Sequence, residues 1–299
     1  MPVWKKGLYE RQPYDDNYVD PVHFLEEMKK NQFVRTYAYS DIVKDTFVII
    51  QQLSFIVVFA YMFALIHQHQ ISLRTIVSID IAGLFLGGVC FVVLWQEKHG
   101  RQFPPGDILD FARQGVIFSS ILLIISPIFR TLTVTFSDDT IWAMGIIAMF
   151  LHLLFTDYNY LNANSDQHTP GVAINAAIFA VTILASRIKS PLYGGALIAF
   201  GIHCFHLSPV LRHLIKSFSL VVHVGATFLL CGVTMGCLLQ VPLLAALFAS
   251  CVVMICFVVP WFFIKLQGTS KFQINGPWDE AKPRNSVAAA EWANAGLLS

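Results

Sequence analysis

The sequence predicts an all-α, polytopic membrane protein with about eight transmembrane helices. Three observations predict it. Of the 299 residues, 56% are hydrophobic and only 13% are charged, against about 25% charged in a typical soluble domain. The mean hydropathy is +0.60. Residues 217–264 hold no Asp, Glu, Lys or Arg at 48 consecutive positions. This composition excludes a disordered chain, a nucleic-acid-binding domain and a disulfide-rich secreted module. A net charge of +1 carries no polyanion-binding signal.

The polar first 45 residues form a cytosolic arm, with no short apolar core after an early basic cluster and so no signal peptide. In it, Asp20-Pro21 reads as a helix cap and first helical residue. Val22, Leu25 and Met28 then share a face, and Glu26 and Lys30 make a favourable i,i+4 pair. A short amphipathic helix on the membrane surface or against a partner is expected, with Phe33, Tyr37 and Tyr39 at interface depth.

A spanning helix needs about 20 mostly apolar residues. Residues 46–66 supply the first span, and 75–95 the second, with Asp80 close to one end. A polar stretch with Pro104-Pro105-Gly106 precedes a third span at 111–129, bent at Pro127. Ser137-Asp138-Asp139 caps a fourth at 140–155, and 157–169 reads as a loop. Pro170-Gly171 introduces a fifth at 172–186, and the sixth covers 192–211. The long uncharged run divides at Gln240-Val241-Pro242 into spans at 220–239 and 243–264. The membrane domain is thus 46–266 and the cytosolic tail 267–299.

With eight spans both termini share a side. That side collects sixteen of the twenty Lys and Arg residues, leaving Arg74, Arg130, Arg187 and Lys189 opposite. The positive-inside rule places both termini in the cytosol.

Little in the sequence suggests bond-making chemistry. Cys90, Cys204, Cys231, Cys237, Cys251 and Cys256 lie in apolar runs without a Cys-x-x-Cys pair and read as small buried hydrophobes. Asp107, Asp110 and Arg113 form only part of a phosphoalcohol-transferase pattern, and Asp15, Asp16 and Asp20 lack prenyltransferase spacing. There is no nucleophile elbow, phosphate-cradling glycine loop or His-Glu-x-x-His. His203 and His206 lie a turn apart, but nothing specifies a third and fourth metal ligand, so they read as packing residues. No catalytic residue, metal or cofactor is assigned. His152 and Asp157, near the cytosolic end of the fourth span beside Tyr158 and Tyr160, are functional candidates as ionisable groups at membrane depth, with snorkelling or hydrogen bonding to loop backbone as the structural alternative. Small residues in the last two spans (Gly225, Gly232, Gly236, Ala245, Ala246 and Ala249) allow close helix contact, within the bundle or with other subunits.

The run Trp4-Lys5-Lys6-Gly7-Leu8-Tyr9-Glu10-Arg11-Gln12-Pro13-Tyr14-Asp15-Asp16-Asn17-Tyr18-Val19-Asp20 closely resembles the opening of the phosphatidylinositol glycan class C family. Ile50-Gln51-Gln52-Leu53, Asp139-Thr140-Ile141-Trp142-Ala143-Met144, Leu184-Ala185-Ser186-Arg187 and Gly276-Pro277-Trp278-Asp279-Glu280-Ala281 are similar too, in order along nearly the whole chain. The resemblance implies a subunit of the phosphatidylinositol N-acetylglucosaminyltransferase complex. That complex performs the first step of glycosylphosphatidylinositol (GPI) anchor synthesis on the cytosolic face of the endoplasmic reticulum. It moves N-acetylglucosamine from its UDP conjugate to phosphatidylinositol. The resemblance also implies that catalysis belongs to a class A subunit. The other implied partners are subunits of classes H, P, Q and Y and a regulator shared with dolichol-phosphate-mannose synthesis. Trp4, Tyr9, Arg11, Tyr18, Trp278 and Asp279 are then the expected docking residues, because aromatic and arginine anchors dominate interfaces. The competing readings are a transporter or scramblase, for which no internal repeat is visible, and a stand-alone lipid transferase.

Overall fold

The structure is a computed structural model. It describes residues 39–100, 133–167 and 171–270, together with scattered positions before 39 and between 104 and 131, and Ile274–Asn275. The expected amphipathic helix lies outside the described residues except at its end. There Lys29–Lys30 forms a strand, β1, so Lys30 is extended rather than helical. The third expected span also lies mostly outside them, although its described residues, Pro127 among them, are helical.

Two compact units divide the chain. One combines residues 1–38 with 262–299. In it β1 pairs antiparallel with β2 (Ile274–Asn275), Lys29 opposite Asn275 and Lys30 opposite Ile274. The Tyr37 ring meets Phe263 edge-on, with centroids 6.0 Å apart.

The other unit, 39–261, is built of helices. Helices α1 (Tyr39–His67) and α2 (Leu73–His99) are the first two spans. Next come α3 (Asp138–Phe155), a short α4 (Tyr158–Leu161) within the expected loop, and α5 (Gly171–Ala185). Helix α6 (Pro191–Ile202) passes through a wide π turn, His203–Leu207, straight into α7 (Ser208–Phe218). Helix α8 (Leu220–Leu238) follows, then α9 (Pro242–Val253), which continues through a second π turn, Met254–Val258, into α10 (Val259–Ser270). Six of these stretches are long and apolar enough to cross a bilayer: α1, α2, α3, α6–α7, α8 and α9–α10; α5 is a shorter apolar helix.

Local chemistry sets the ends. Ser137 caps α3, its hydroxyl accepting from the Thr140 N–H at 3.3 Å, and Ser72 does the same for α2 through Thr75 at 3.2 Å. Gly100 ends α2 in the left-handed conformation, φ 62°, that an L side chain resists. One expectation needs correction. The sixth span does not stop at Leu211 but runs to Phe218, so Arg212 and Lys216 are helical residues, not loop charges.

In lipid, helices gain little from apolar burial and associate by close packing of small side chains. Helix α5 is suited to this. Its Ala173, Ala177 and Ala180 are all buried, and it packs on α3 where Gly145 lies under Leu184, and on α6 where Gly201 lies under Val181. Phe59, Phe63 and Ile66 of α1 fill the same core, with Phe59 stacked parallel to Phe200 and edge-on to Phe205. By contrast, beyond the backbone of α8 itself no atom of the described residues lies within 4 Å of a Cβ placed at Gly225, Gly232 or Gly236. Among the described residues, that face of α8 serves no internal contact. Ala245 does, packing with Leu238 and Phe248.

Candidate functional site

Polar side chains gather at one end of the helical unit, where α1 begins, α3 and α7 end, and α8 starts. A chain of hydrogen bonds runs through its interior. Arg212 Nη2 donates to Gln52 Oε1 at 2.5 Å. Gln52 Nε2 donates to His152 Nε2, and His152 Nδ1 donates to the Ala173 carbonyl at 2.8 Å. Those partners require a neutral His152 with its proton on Nδ1. Both ends of the Gln52 amide are used, and Gln52 and His152 are 0% and 3% exposed, as buried polar groups require. Beside this chain, Gln51 Nε2 donates to Thr227 Oγ1 at 2.7 Å, which donates to the His223 carbonyl at 2.8 Å.

Towards the rim, the loop after α3 is tied down residue by residue. Asp157 caps α4, accepting from the Tyr160 N–H at 3.1 Å. Tyr158 donates its hydroxyl to the Leu153 carbonyl. Tyr160 stacks parallel on His213, centroids 4.1 Å apart, while His213 Nδ1 donates to the Tyr160 carbonyl at 2.6 Å. Lys216 bonds Asp45 at 3.0 Å and also Asn162, joining α1, α7 and the loop. Away from this end, Asp80 is buried and its Oδ1 sits 3.3 Å from His203 Nδ1, which ties α2 to the π turn.

Burial pushes the Tyr158 phenol up to about 12, and neighbouring Arg212 pulls it back only in part. A raised folded-state value means the fold favours the protonated form. The stability it supplies is complete below pH 10, the ordinary tyrosine value, and is lost as pH rises through about 12. Tyr158→Phe should therefore cost about 1 kcal/mol at neutral pH through the lost hydrogen bond. It should also flatten the decline in melting temperature above pH 10. An unchanged alkaline decline would assign it to other groups.

The sequence-nominated residues are placed as follows. His152 is interior, and Asp157 and Tyr158 lie on the rim, each of the three bonded to backbone. Trp4, Tyr9, Trp278 and Asp279 lie outside the described residues, while Arg11 and Tyr18 are described and exposed. Among the described residues no group of three or more His, Cys, Asp or Glu could hold a metal ion. An apolar crevice between α5 and α6, bordered by Val181, Gly201 and Phe205, holds about 20 Å³, far below the roughly 300–1,000 Å³ of small-molecule sites. Sequence reasoning passes over Gln52 and Arg212 as site residues. The available signal is a pair of amides inside an apolar span and an arginine that reads as the end of one.

The family model described as phosphatidylinositol N-acetylglucosaminyltransferase (GPI2) matches residues 4–279. A putative phosphatidylinositol N-acetylglucosaminyltransferase C subunit of Dictyostelium discoideum is 37% identical over 280 residues, 93% of this chain and 79% of the relative. The corresponding C subunit of Homo sapiens is 34% identical over 286 residues, 95% of this chain and 94% of the relative. The GPI2 subunit of Schizosaccharomyces pombe is 29% identical over 296 residues, 94% and 87% of the two. No solved structure matches. With a family model running from the Trp4 motif through the Asp279 motif, and C-subunit relatives aligned along almost the entire length, the chain belongs to the phosphatidylinositol N-acetylglucosaminyltransferase GPI2 family.

Proposed function

We propose that the chain is a non-catalytic, multi-pass membrane subunit of a complex that transfers N-acetylglucosamine from UDP-N-acetylglucosamine to phosphatidylinositol, the first step of GPI-anchor biosynthesis. It resides in the endoplasmic reticulum membrane with both termini cytosolic. The observation that carries this is the alignment of C-subunit relatives over 95% of its length. The use of the interior polar groups agrees with a scaffold. Gln52 and His152 are spent on each other, on Arg212 and on backbone, Lys216 on Asp45 and Asn162, and Asp157 on a backbone N–H. The unoccupied small-residue face of α8 suits a neighbouring membrane subunit.

The partners in this reading are a class A glycosyltransferase, accessory subunits of classes H, P, Q and Y, and the regulator shared with dolichol-phosphate-mannose synthesis. Trp4, Tyr9, Arg11, Tyr18, Trp278 and Asp279 dock the catalytic subunit at headgroup height. The test is purification of the chain with and without its partners, followed by assay of sugar transfer. Activity confined to the assembly is expected, and transfer by the chain alone would overturn the reading. Deleting residues 4–20 while keeping every helix should reduce recovery of the catalytic subunit several-fold. Full recovery with full activity would remove the arm from docking.

Asp157 and Tyr158, with His152 behind them, form the rim past which the acceptor lipid reaches the catalytic subunit. Asp157→Asn keeps a good helix cap and removes only the charge. The assembled complex should then show a weaker apparent affinity for phosphatidylinositol at unchanged stability. Unaltered affinity would limit Asp157 to capping.

A further inference from the structure

Arg212 is the only arginine or lysine among the described residues that is fully buried, at 6% exposure. Its compensation is slight. Nη2 is held by Gln52, and the guanidinium lies 5.0 Å from the centroid of the Phe55 ring. Among the described residues its Nε and Nη1 have no hydrogen-bond partner, and no carboxylate lies within ion-pairing distance of it. Burying an arginine in a bilayer without an anion is costly.

Arg212 is also not alone in being unsatisfied. Eight buried side-chain atoms lack a hydrogen-bond partner among the described residues. Six belong to four residues of α1, α7 and α8: Arg212 Nε and Nη1, Gln51 Oε1, Ser54 Oγ, and both ring nitrogens of His223. A buried donor or acceptor left without a partner destabilises the fold unless something satisfies it. The set pairs a cationic fork, which matches a phosphate bidentately, with neutral groups that together donate and accept, as hydroxyls require.

We propose that this cluster binds the phosphodiester and polyol headgroup of an anionic phospholipid, with Arg212 Nε and Nη1 on the phosphate and Gln51, Ser54 and His223 on headgroup hydroxyls. Phosphatidylinositol is the member of that class that follows from the function proposed above, on which this identification rests. The depth fits. Arg212 is six residues from the end of α7, about 9 Å along the axis, and His223 is one turn into α8. Both lie close to the headgroup layer. A lipid is favoured over a free anion because the flanking Val221 and Val222 are 81% and 46% exposed, an apolar surface that acyl chains can cover. The six atoms are enclosed, so the headgroup enters as α8 parts from α1 at the Gln51–Thr227 bond.

The test uses the full chain in neutral detergent. It is titrated with short-chain phosphatidylinositol, with phosphatidylcholine of the same chains, and with inorganic phosphate, while binding and melting temperature are followed. Phosphatidylinositol should bind at least tenfold more tightly than phosphatidylcholine and raise the melting temperature. Arg212→Lys keeps the charge and loses the fork, and should weaken phosphatidylinositol at least tenfold. Arg74→Gln, an exposed charge loss elsewhere, should change nothing. A folded Arg212→Lys chain with undiminished binding would overturn the proposal. So would equal affinity for the two lipids on the unaltered chain, a comparison that stands even where the variant fails to fold. Equal protection by inorganic phosphate would overturn the lipid assignment in favour of a free anion. Because no partner subunit is present, loss of lipid binding and loss of complex membership are separate results.

Discussion

Gln52→Leu is expected to lower the stability of the detergent-solubilised chain by about 3 kcal/mol, read from thermal or denaturant unfolding. The side chains are similar in size, so the effect isolates the amide. Its loss leaves His152 Nε2 without a donor and Arg212 Nη2 without an acceptor, at a position that is 0% exposed. Hydrogen bonds between membrane helices average only about 0.6 kcal/mol, because the separated helices find other partners. The charge on Arg212 decides the matter, since stripping a partner from a buried ion costs about 3–5 kcal/mol. Adding Arg212→Met to the leucine variant should recover much of the loss, because an apolar pair replaces a half-satisfied one. A loss under about 1 kcal/mol for Gln52→Leu would show that the interior chain does not hold α1, α3 and α7 together.

Gly201→Ala is the second large effect, and its sign is the informative part. At an exposed helical site this change stabilises by about 1 kcal/mol. Here the new methyl would sit 2.6 and 2.8 Å from the two Cγ atoms of Val181 and 3.3 Å from Phe59. Val181 is buried and β-branched, so its χ1 has nowhere to turn. Helices α5 and α6 must move apart, and a net loss of about 2 kcal/mol is expected. Gly201→Leu should prevent folding. Val181→Ala in the Gly201→Ala background should restore most of the loss, whereas a neutral or stabilising Gly201→Ala would mean the two helices do not approach so closely.

These sites mark where the sequence is legible and where it is not. Local rules carry the elements. Ser137 caps α3, α5 falls within a residue of its expected span, and the chain turns between Leu238 and Pro242 where the amides and proline allow it. The interior polar chain obeys no local rule. Gln52 meets His152 100 residues away and Arg212 160 away, and Gln51 meets Thr227 across 176. Hydropathy also misjudges Arg212. A charge inside an apolar run resembles a terminus until its partners are known, which is why hydropathy ends the sixth span one turn and more too early. Asp80 is similar: its position near a span end gives no hint that His203 meets it inside the bundle.

The π turn at His203–Leu207 gives this stretch a tolerance of length that composition hides. Each residue of a helix advances the azimuth by about 100°, and a π bulge is in effect one residue inserted into an α-helical ladder. Excising one residue there would leave the hydropathy of the segment almost unchanged. It would also restore the regular ladder and leave the downstream residues close to their present azimuths, with the Arg212 guanidinium still in the protein interior. A relative with a single-residue gap at this point should therefore have an uninterrupted α-helix there and keep its cation at the position aligned with Arg212.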